Sequence, residues 1–106
     1  MILLSFFKKI FGSAPTVDYT VLVNMGAQIV DVRSPAEYKS GHIKGSKNIP
    51  LQELDKNLHT LNKSKPIITC CASGMRSASA KSILLQKGFS EVYNGGGWTS
   101  LLKKIS

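Results

Sequence analysis

Two adjacent cysteines close an apolar, β-branched run in this chain. Ile67-Ile68-Thr69-Cys70-Cys71 leads directly into Ala72-Ser73-Gly74-Met75-Arg76-Ser77. Beyond it, Ala78-Ser79-Ala80-Lys81-Ser82-Ile83-Leu84-Leu85 reads as a helix. A strand that delivers a cysteine into a tight loop capped by a helix N-terminus is suited to holding an anionic sulfur. Successive backbone N–H groups of such a loop form an anion-binding concavity, and the helix dipole adds positive potential. A thiol placed there shifts toward thiolate, the form that attacks. Either cysteine alone would read as a small, inert core residue; the complete strand–Cys–Gly–Arg–Ser–helix pattern points to chemistry.

A second polar group stands at another strand end. Gln28-Ile29-Val30-Asp31-Val32 is a compact apolar strand, and Arg33 follows it. Ser34-Pro35-Ala36-Glu37 is then a strong helix start, with Ser as N-cap, Pro at the first helical position and Glu completing a capping box. That helix runs to Ser40 and stops at Gly41. His42 begins a turn that leads into a brief extended segment ending at Pro50, and residues 51–58 read as a helix on the spacing of Leu51, Leu54 and Leu58. Lys63–Pro66 is a polar loop before the central strand. Lys87-Gly88 ends the helix after the cysteines. Glu91-Val92-Tyr93 reads as a short strand, Asn94–Gly97 as a glycine-rich turn, and Trp98–Ile105 as a closing helix with Trp98 in the core. Asp18–Met25 accounts for one or two earlier helical turns.

Short apolar strands alternating with helices predict an α/β domain, a central parallel sheet with helices on both faces. Sites in such sheets form beyond the carboxyl ends of the strands. Asp31-Val32-Arg33 and Cys70-Cys71 both occupy such ends, so this architecture can bring them together.

With 106 residues, the chain has room for one core. Its formal charge of +8 is high for that size, with fourteen basic residues. The lysines are spread from Lys8 to Lys104 and form no aromatic-interleaved cluster, which argues against nucleic acid. Two cysteines side by side do not supply a disulfide framework, which suits a reducing, cytoplasmic setting. His42 and His59 show no ligand spacing with the cysteines, so no metal site is expected. Residues 1–14 are read as an N-terminal amphipathic segment and linker, and residues 15–106 as the domain. Ile2, Leu3, Phe6, Phe7, Ile10 and Phe11 recur at helical spacing, with Lys8 and Lys9 on another face. The segment is too short to span a bilayer and is read as a cover for its own domain or a weak membrane-surface contact.

Two registers compete at the cysteines. Counted from Cys70, the loop reads C-x5-R-S, which resembles the cysteine-phosphatase signature, but Thr69 and Ser73 stand where that family has His and Gly. Counted from Cys71, it reads C-x-x-G-x-R-S, one residue tighter. This tighter form resembles the active-site loop of single-domain rhodanese-like sulfurtransferases. Asp31-Val32-Arg33 with Pro35, Glu37 and Tyr38 is similar to that family's D-V-R-x-x-x-E-Y/F segment. Gly41-His42-Ile43-Lys44-Gly45-Ser46 with Asn48-Ile49-Pro50 is similar to its G-H-I-x-G-A-x-N-I-P segment, with Ser46 in place of Ala. Gly88-Phe89, Val92-Tyr93 and Gly95-Gly96-Gly97-Trp98 match its closing pattern. The resemblance covers roughly residues 16–104.

The resemblance implies a rhodanese-like domain in which Cys71 is the nucleophile of a rhodanese-type sulfurtransferase. The Cys71 thiolate would take sulfane sulfur from thiosulfate or another persulfide and pass it to cyanide or a thiol, in ping-pong fashion. It implies no cofactor, because the sulfur itself is carried. Backbone N–H groups of Ala72, Ser73, Gly74, Met75, Arg76 and Ser77 would cradle the persulfide. Partners would be a small anionic donor and a thiol or cyanide acceptor, with a protein persulfide as a further candidate. Arg76 has two roles open to it, steering the anionic donor or bracing the loop against a nearby carboxylate, and bracing is favoured. Asp31 and Arg33 are expected to be supporting charges and His42 a hydrogen-bonded turn anchor. Many relatives carry a basic residue after the nucleophile where this chain has Ala72, a departure that bears on thiosulfate recognition. Two alternatives stand beside this reading: a non-catalytic binding or sulfur-carrier module, and a cysteine phosphatase using Cys70.

Overall fold

Among the described residues, four parallel strands form one sheet in the order β2-β1-β3-β4. In the computed structural model the described residues are 16–106, so the N-terminal segment over residues 1–14 lies outside them. The elements are α1 (Tyr19–Asn24), β1 (Gln28–Asp31), α2 (Pro35–Ser40), β2 (Lys47–Asn48), a 3₁₀ helix (Leu51–Thr60), β3 (Ile67–Cys71), α3 (Met75–Gln86), β4 (Val92–Gly97) and α4 (Trp98–Ile105).

Strand alternation sorts the core onto two faces. Ile67 and Cys71 of β3 point with Val30 toward α3 and the 3₁₀ helix, among Leu54, Ala80, Leu84 and Val92. Ile68 and Cys70 point the other way, with Ile29, toward α1 and α4, among Leu22, Ile43 and Leu101. Every residue of β3 is buried, as expected of a central strand covered on both sides. Each buried Leu or Ile contributes about 1.5–3 kcal/mol relative to exposure.

Local sequence accounts for several boundaries. Ser34 caps α2, with its side chain accepting from Glu37 N–H and the Glu37 carboxylate accepting from Ser34 N–H. Asp18 caps α1 by accepting from Val21 N–H. The segment expected to be an ordinary helix from Leu51 is a 3₁₀ helix that continues to Thr60 and leaves helical geometry at Asn57 (φ −117°, ψ 16°). Its tighter turn aligns residues three apart, which sets Leu51 and Leu54 together against the core.

Two expectations are corrected. Helix α3 begins at Met75, inside the loop, and Gly74 is its cap at φ 105°. A left-handed residue there disfavours any side chain and lets the helix start three residues earlier than Ala78. Asn94–Gly97 is not a turn but the last four residues of β4. It lies along β3 with Thr69 opposite Asn94 and Cys71 opposite Gly97, so three steps on β4 match two on β3. This β-bulge sits at the cysteine. The glycines permit the close approach: a Cβ on Gly95 would lie 2.9 Å from Ile68 Cγ2, Leu101 Cδ2 and the Thr69 carbonyl oxygen.

Candidate functional site

Cys71 ends β3, and the chain folds back over its sulfur before entering α3. The Gly74 N–H donates to Cys71 Sγ at 3.0 Å and the Ser77 N–H at 3.4 Å. The Ser77 hydroxyl lies 3.3 Å from the same sulfur. Burial pushes this thiol up, but the Ser77 hydroxyl and the N–H groups of Ser77, Gly74 and Ser73 outweigh it, and the net direction is down. The cradle thus favours a sulfur anion. Ala72, Ser73 and Met75 form an exposed rim, Met75 being 80% exposed, while Cys71 itself is 1% exposed.

Cys70 occupies the opposite face of the sheet. It is fully buried among apolar side chains. Burial first, and then the nearby Asp31 carboxylate, push its thiol up to about 12. Both cysteines are free, yet only Cys71 receives hydrogen bonds of the kind that stabilise a thiolate.

Asp31 and Arg33 form a buried pair. Arg33 Nη2 lies 2.7 Å from Asp31 Oδ2, and Nε lies 2.9 Å from Oδ1. The remaining donors of Arg33 reach the carbonyl oxygens of Gly41 at 2.7 Å and Glu37 at 3.3 Å. Its guanidinium also sits 4.8 Å from the Trp98 ring centroid, a cation–π contact. The pair therefore ties the end of β1 to the middle and the C-terminal end of α2. Trp98, expected in the core, is half-buried and packed on its edge, because it shares that place with Arg33.

Arg76 meets the carboxylate of Glu37, with Nη1 2.7 Å from Oε1 and Nη2 3.0 Å from Oε2. The Arg76 contact, then the Ser34 N–H, hold the Glu37 carboxyl at about 2, well below its ordinary 4.5. His42 is exposed; its Nδ1–H donates to the Tyr38 carbonyl at 2.8 Å and its ring stacks on Tyr38 at 3.8 Å. Both contacts go to Tyr38 and not to the cysteine loop.

Two residues absent from the sequence-derived site belong beside it. Glu37 was legible as a capping-box residue and as part of the D-V-R-x-x-x-E-Y/F segment, and nothing local in the sequence tied it to Arg76. Asn94 sits against the loop because β4 continues past Tyr93: it accepts from Ser77 Oγ at 2.6 Å and donates to the Gly74 carbonyl at 3.2 Å. Among the described residues no cluster of three His, Cys, Asp or Glu side chains could hold a metal ion, and no helix is long and apolar enough to cross a membrane.

The family model described as a rhodanese-like domain matches residues 18–104. The chain belongs to the rhodanese-like domain family. It is 36% identical to the thiosulfate sulfurtransferase GlpE of Stutzerimonas stutzeri, over 82% of this chain and 80% of that protein. It is 40% identical to YqhL of Bacillus subtilis over 64% of this chain, spanning 54% of that protein's length. Among solved structures it is similar to a rhodanese with anions from E. coli, at 34% identity and a TM-score of 0.66, covering 70% of this chain and 89% of the other. In this rhodanese-like fold the Cys71 loop follows β3, with Glu37 of α2 on one side and Asn94 of β4 on the other.

Proposed function

We propose that the protein is a sulfurtransferase that moves sulfane sulfur from thiosulfate or a persulfide donor to a thiophilic acceptor through a Cys71 persulfide. The observation that carries this reading is the Cys71 sulfur under the N–H groups of Gly74 and Ser77 at the N-terminus of the twelve-residue helix α3. The names of relatives such as GlpE support it. In the first half-reaction the Cys71 thiolate attacks the outer sulfur of thiosulfate. The S–S bond of the donor breaks, sulfite leaves with the bonding pair, and the enzyme holds Cys71–S–S⁻. In the second, cyanide or a thiolate attacks that outer sulfur and leaves as thiocyanate or a new persulfide, restoring the Cys71 thiolate.

The loop residues Ala72, Ser73, Gly74, Met75, Arg76 and Ser77 form the substrate cradle in this proposal. Arg76 is a brace, because both of its terminal nitrogens are engaged by Glu37. Asp31, Arg33 and His42 support the segment that presents Glu37. No cofactor takes part, since the sulfur being moved is the only group carried. A reducing, cytoplasmic setting fits two free adjacent thiols.

The 1% exposure of Cys71 favours a second reading, a sulfur carrier that loads once and turns over slowly. Intact-mass analysis after thiosulfate treatment, followed by cyanide, separates the two. One added sulfur that is lost to cyanide over repeated cycles supports the enzyme. One added sulfur that persists supports the carrier. No adduct on wild type, or an adduct that survives Cys71→Ser, overturns both.

A further inference from the structure

Asn94 lies on β4 beside the cysteine loop, and its neighbours fix the orientation of its amide. The side-chain oxygen accepts from the Gly96 N–H at 2.9 Å, and the side-chain nitrogen donates to the Gly74 carbonyl at 3.2 Å. A backbone N–H only donates and a carbonyl only accepts, so the two ends of this amide are not interchangeable. The Ser77 hydroxyl lies 2.6 Å from that same Asn94 oxygen, which carries no hydrogen, so Ser77 is the donor. The Cys71 sulfur lies 3.3 Å from the same Ser77 oxygen. A serine hydroxyl has one hydrogen. Two acceptors therefore face one hydrogen whenever the sulfur is ionised.

We propose that Asn94 is a positioning residue that acts through Ser77, drawing its hydroxyl hydrogen away from Cys71 while the sulfur is a thiol and yielding it when the sulfur becomes a thiolate. In the thiol state the S–H donates to Ser77 Oγ and Ser77 donates onward to Asn94, so each hydrogen has an acceptor. On ionisation the thiol proton passes to solvent. Ser77 Oγ would then face a negative sulfur with lone pairs, and its hydroxyl turns toward the sulfur. The Asn94 oxygen still holds the Gly96 N–H and is not left bare. The broken 2.6 Å bond falls on the thiolate side of the equilibrium. The readiness of the nucleophile is thereby set by a residue that touches neither the sulfur nor the substrate.

Other groups bear on the same sulfur and do not duplicate this device. Arg76 is close enough to interact with it and is paired with Glu37 of α2, and Cys70 stands behind the sheet with the Asp31–Arg33 pair. The cluster that holds Cys71 is apolar: it includes Leu54 from the 3₁₀ helix, Ala80 and Leu84 from α3 and Val92 from β4, with Leu51, Leu58 and Ile83 packed against it.

The inference rests on Cys71 as the reactive sulfur, but its readout is ionisation and does not require sulfur transfer. The experiment is a pH series of iodoacetamide alkylation, read at Cys71 by peptide mass mapping, on wild type, Asn94→Leu, Ser77→Ala and the double variant, with melting temperatures. Asn94→Leu should move the midpoint down by up to roughly one pH unit, because wild type gives up the neutral Ser77–Asn94 hydrogen bond on ionisation and the variant has none to give up. Ser77→Ala should move it up, and the double variant should match Ser77→Ala. Asn94→Ala replaces leucine if leucine disturbs folding, with the same expectation. A midpoint that stays or rises on removing Asn94 overturns the proposal. So does a downward shift that survives in the Ser77→Ala background, since it would arise from a loosened loop. Failure of thiosulfate loading with these shifts intact would count against sulfur transfer alone.

Discussion

Arg76 and Glu37, far apart in sequence, meet through two parallel hydrogen bonds of 2.7 and 3.0 Å. Arg76 lies in the first turn of α3 and Glu37 in the first turn of α2. The same Glu37 oxygen that faces Arg76 Nη1 also accepts from the Ser34 N–H at 3.0 Å. One carboxylate thus caps one helix and braces the loop that starts another.

Arg76→Lys should fail to restore what Arg76→Ala loses. A lysine keeps the charge but presents a single nitrogen where the guanidinium presents a fork. Both variants are expected to lower the melting temperature and the rate of cyanide-dependent thiocyanate formation together. Unchanged stability in both, with weaker thiosulfate saturation only in alanine, would instead assign Arg76 to steering the donor.

The same pair predicts a pH dependence. The folded-state carboxyl of Glu37 is depressed to about 2 from 4.5. A depressed acid favours the folded state above its unfolded value, and that contribution disappears as pH falls through the folded one. The stability advantage of wild type over Glu37→Gln should therefore be constant above pH 4.5 and vanish on acidification toward pH 2. Denaturant melts at several pH values measure it; an advantage independent of pH would show that the loss in Glu37→Gln is not electrostatic.

The two cysteines should separate cleanly. Cys71→Ser is expected to abolish the sulfur adduct and thiocyanate formation, and Cys70→Ser to retain both. In wild type, iodoacetamide should modify Cys71 below the ~8.5 of a free thiol, while Cys70, pushed up to about 12 and fully buried, stays unmodified until the protein unfolds. Loss of transfer in folded Cys70→Ser would return the nucleophile to the other register.

Aryl phosphates should be poor substrates. The cradle is built on Cys71, and the register one residue wider would place the nucleophile at Cys70, on the far face of the sheet. Hydrolysis of p-nitrophenyl phosphate should stay at background under conditions where sulfur transfer is measurable. Cysteine-dependent phosphate release at a comparable rate would reverse the assignment.

Gly95→Ala should destabilise the fold by about 1–3 kcal/mol, the usual result of forcing an extra carbon into a packed interior. The added Cβ would meet the Ile68 and Leu101 side chains and the Thr69 carbonyl, each at 2.9 Å. Chemical denaturation reads it directly; a neutral result would mean that β4 can move away from β3 without loss.

Local patterns in the sequence carried most of the architecture. Alternation of apolar strands with capped helices is a short-range signal, so the parallel sheet, the Ser34–Glu37 capping box and the glycine stop at Gly41 are legible in the sequence alone. The spacing of Cys71, Gly74 and Arg76 likewise lies within one loop, and the four ordered matches identified the rhodanese-like family. Other features depend on what lies across space. Leu51–Thr60 became a 3₁₀ helix against the core face of the sheet. The glycines after Tyr93 look like a turn when read alone, but β3 offers unpaired backbone groups beside them and their missing side chains let the strand continue. That continuation carries Asn94 to Ser77, and the packing of α2 beside the loop carries Glu37 to Arg76. Sequence determined which sulfur could sit in a cradle of N–H groups, because the cradle is built from consecutive residues. Tertiary structure decided which distant side chains share its hydrogen and brace its arginine, because those contacts form only when strands and helices remote in the chain are packed together.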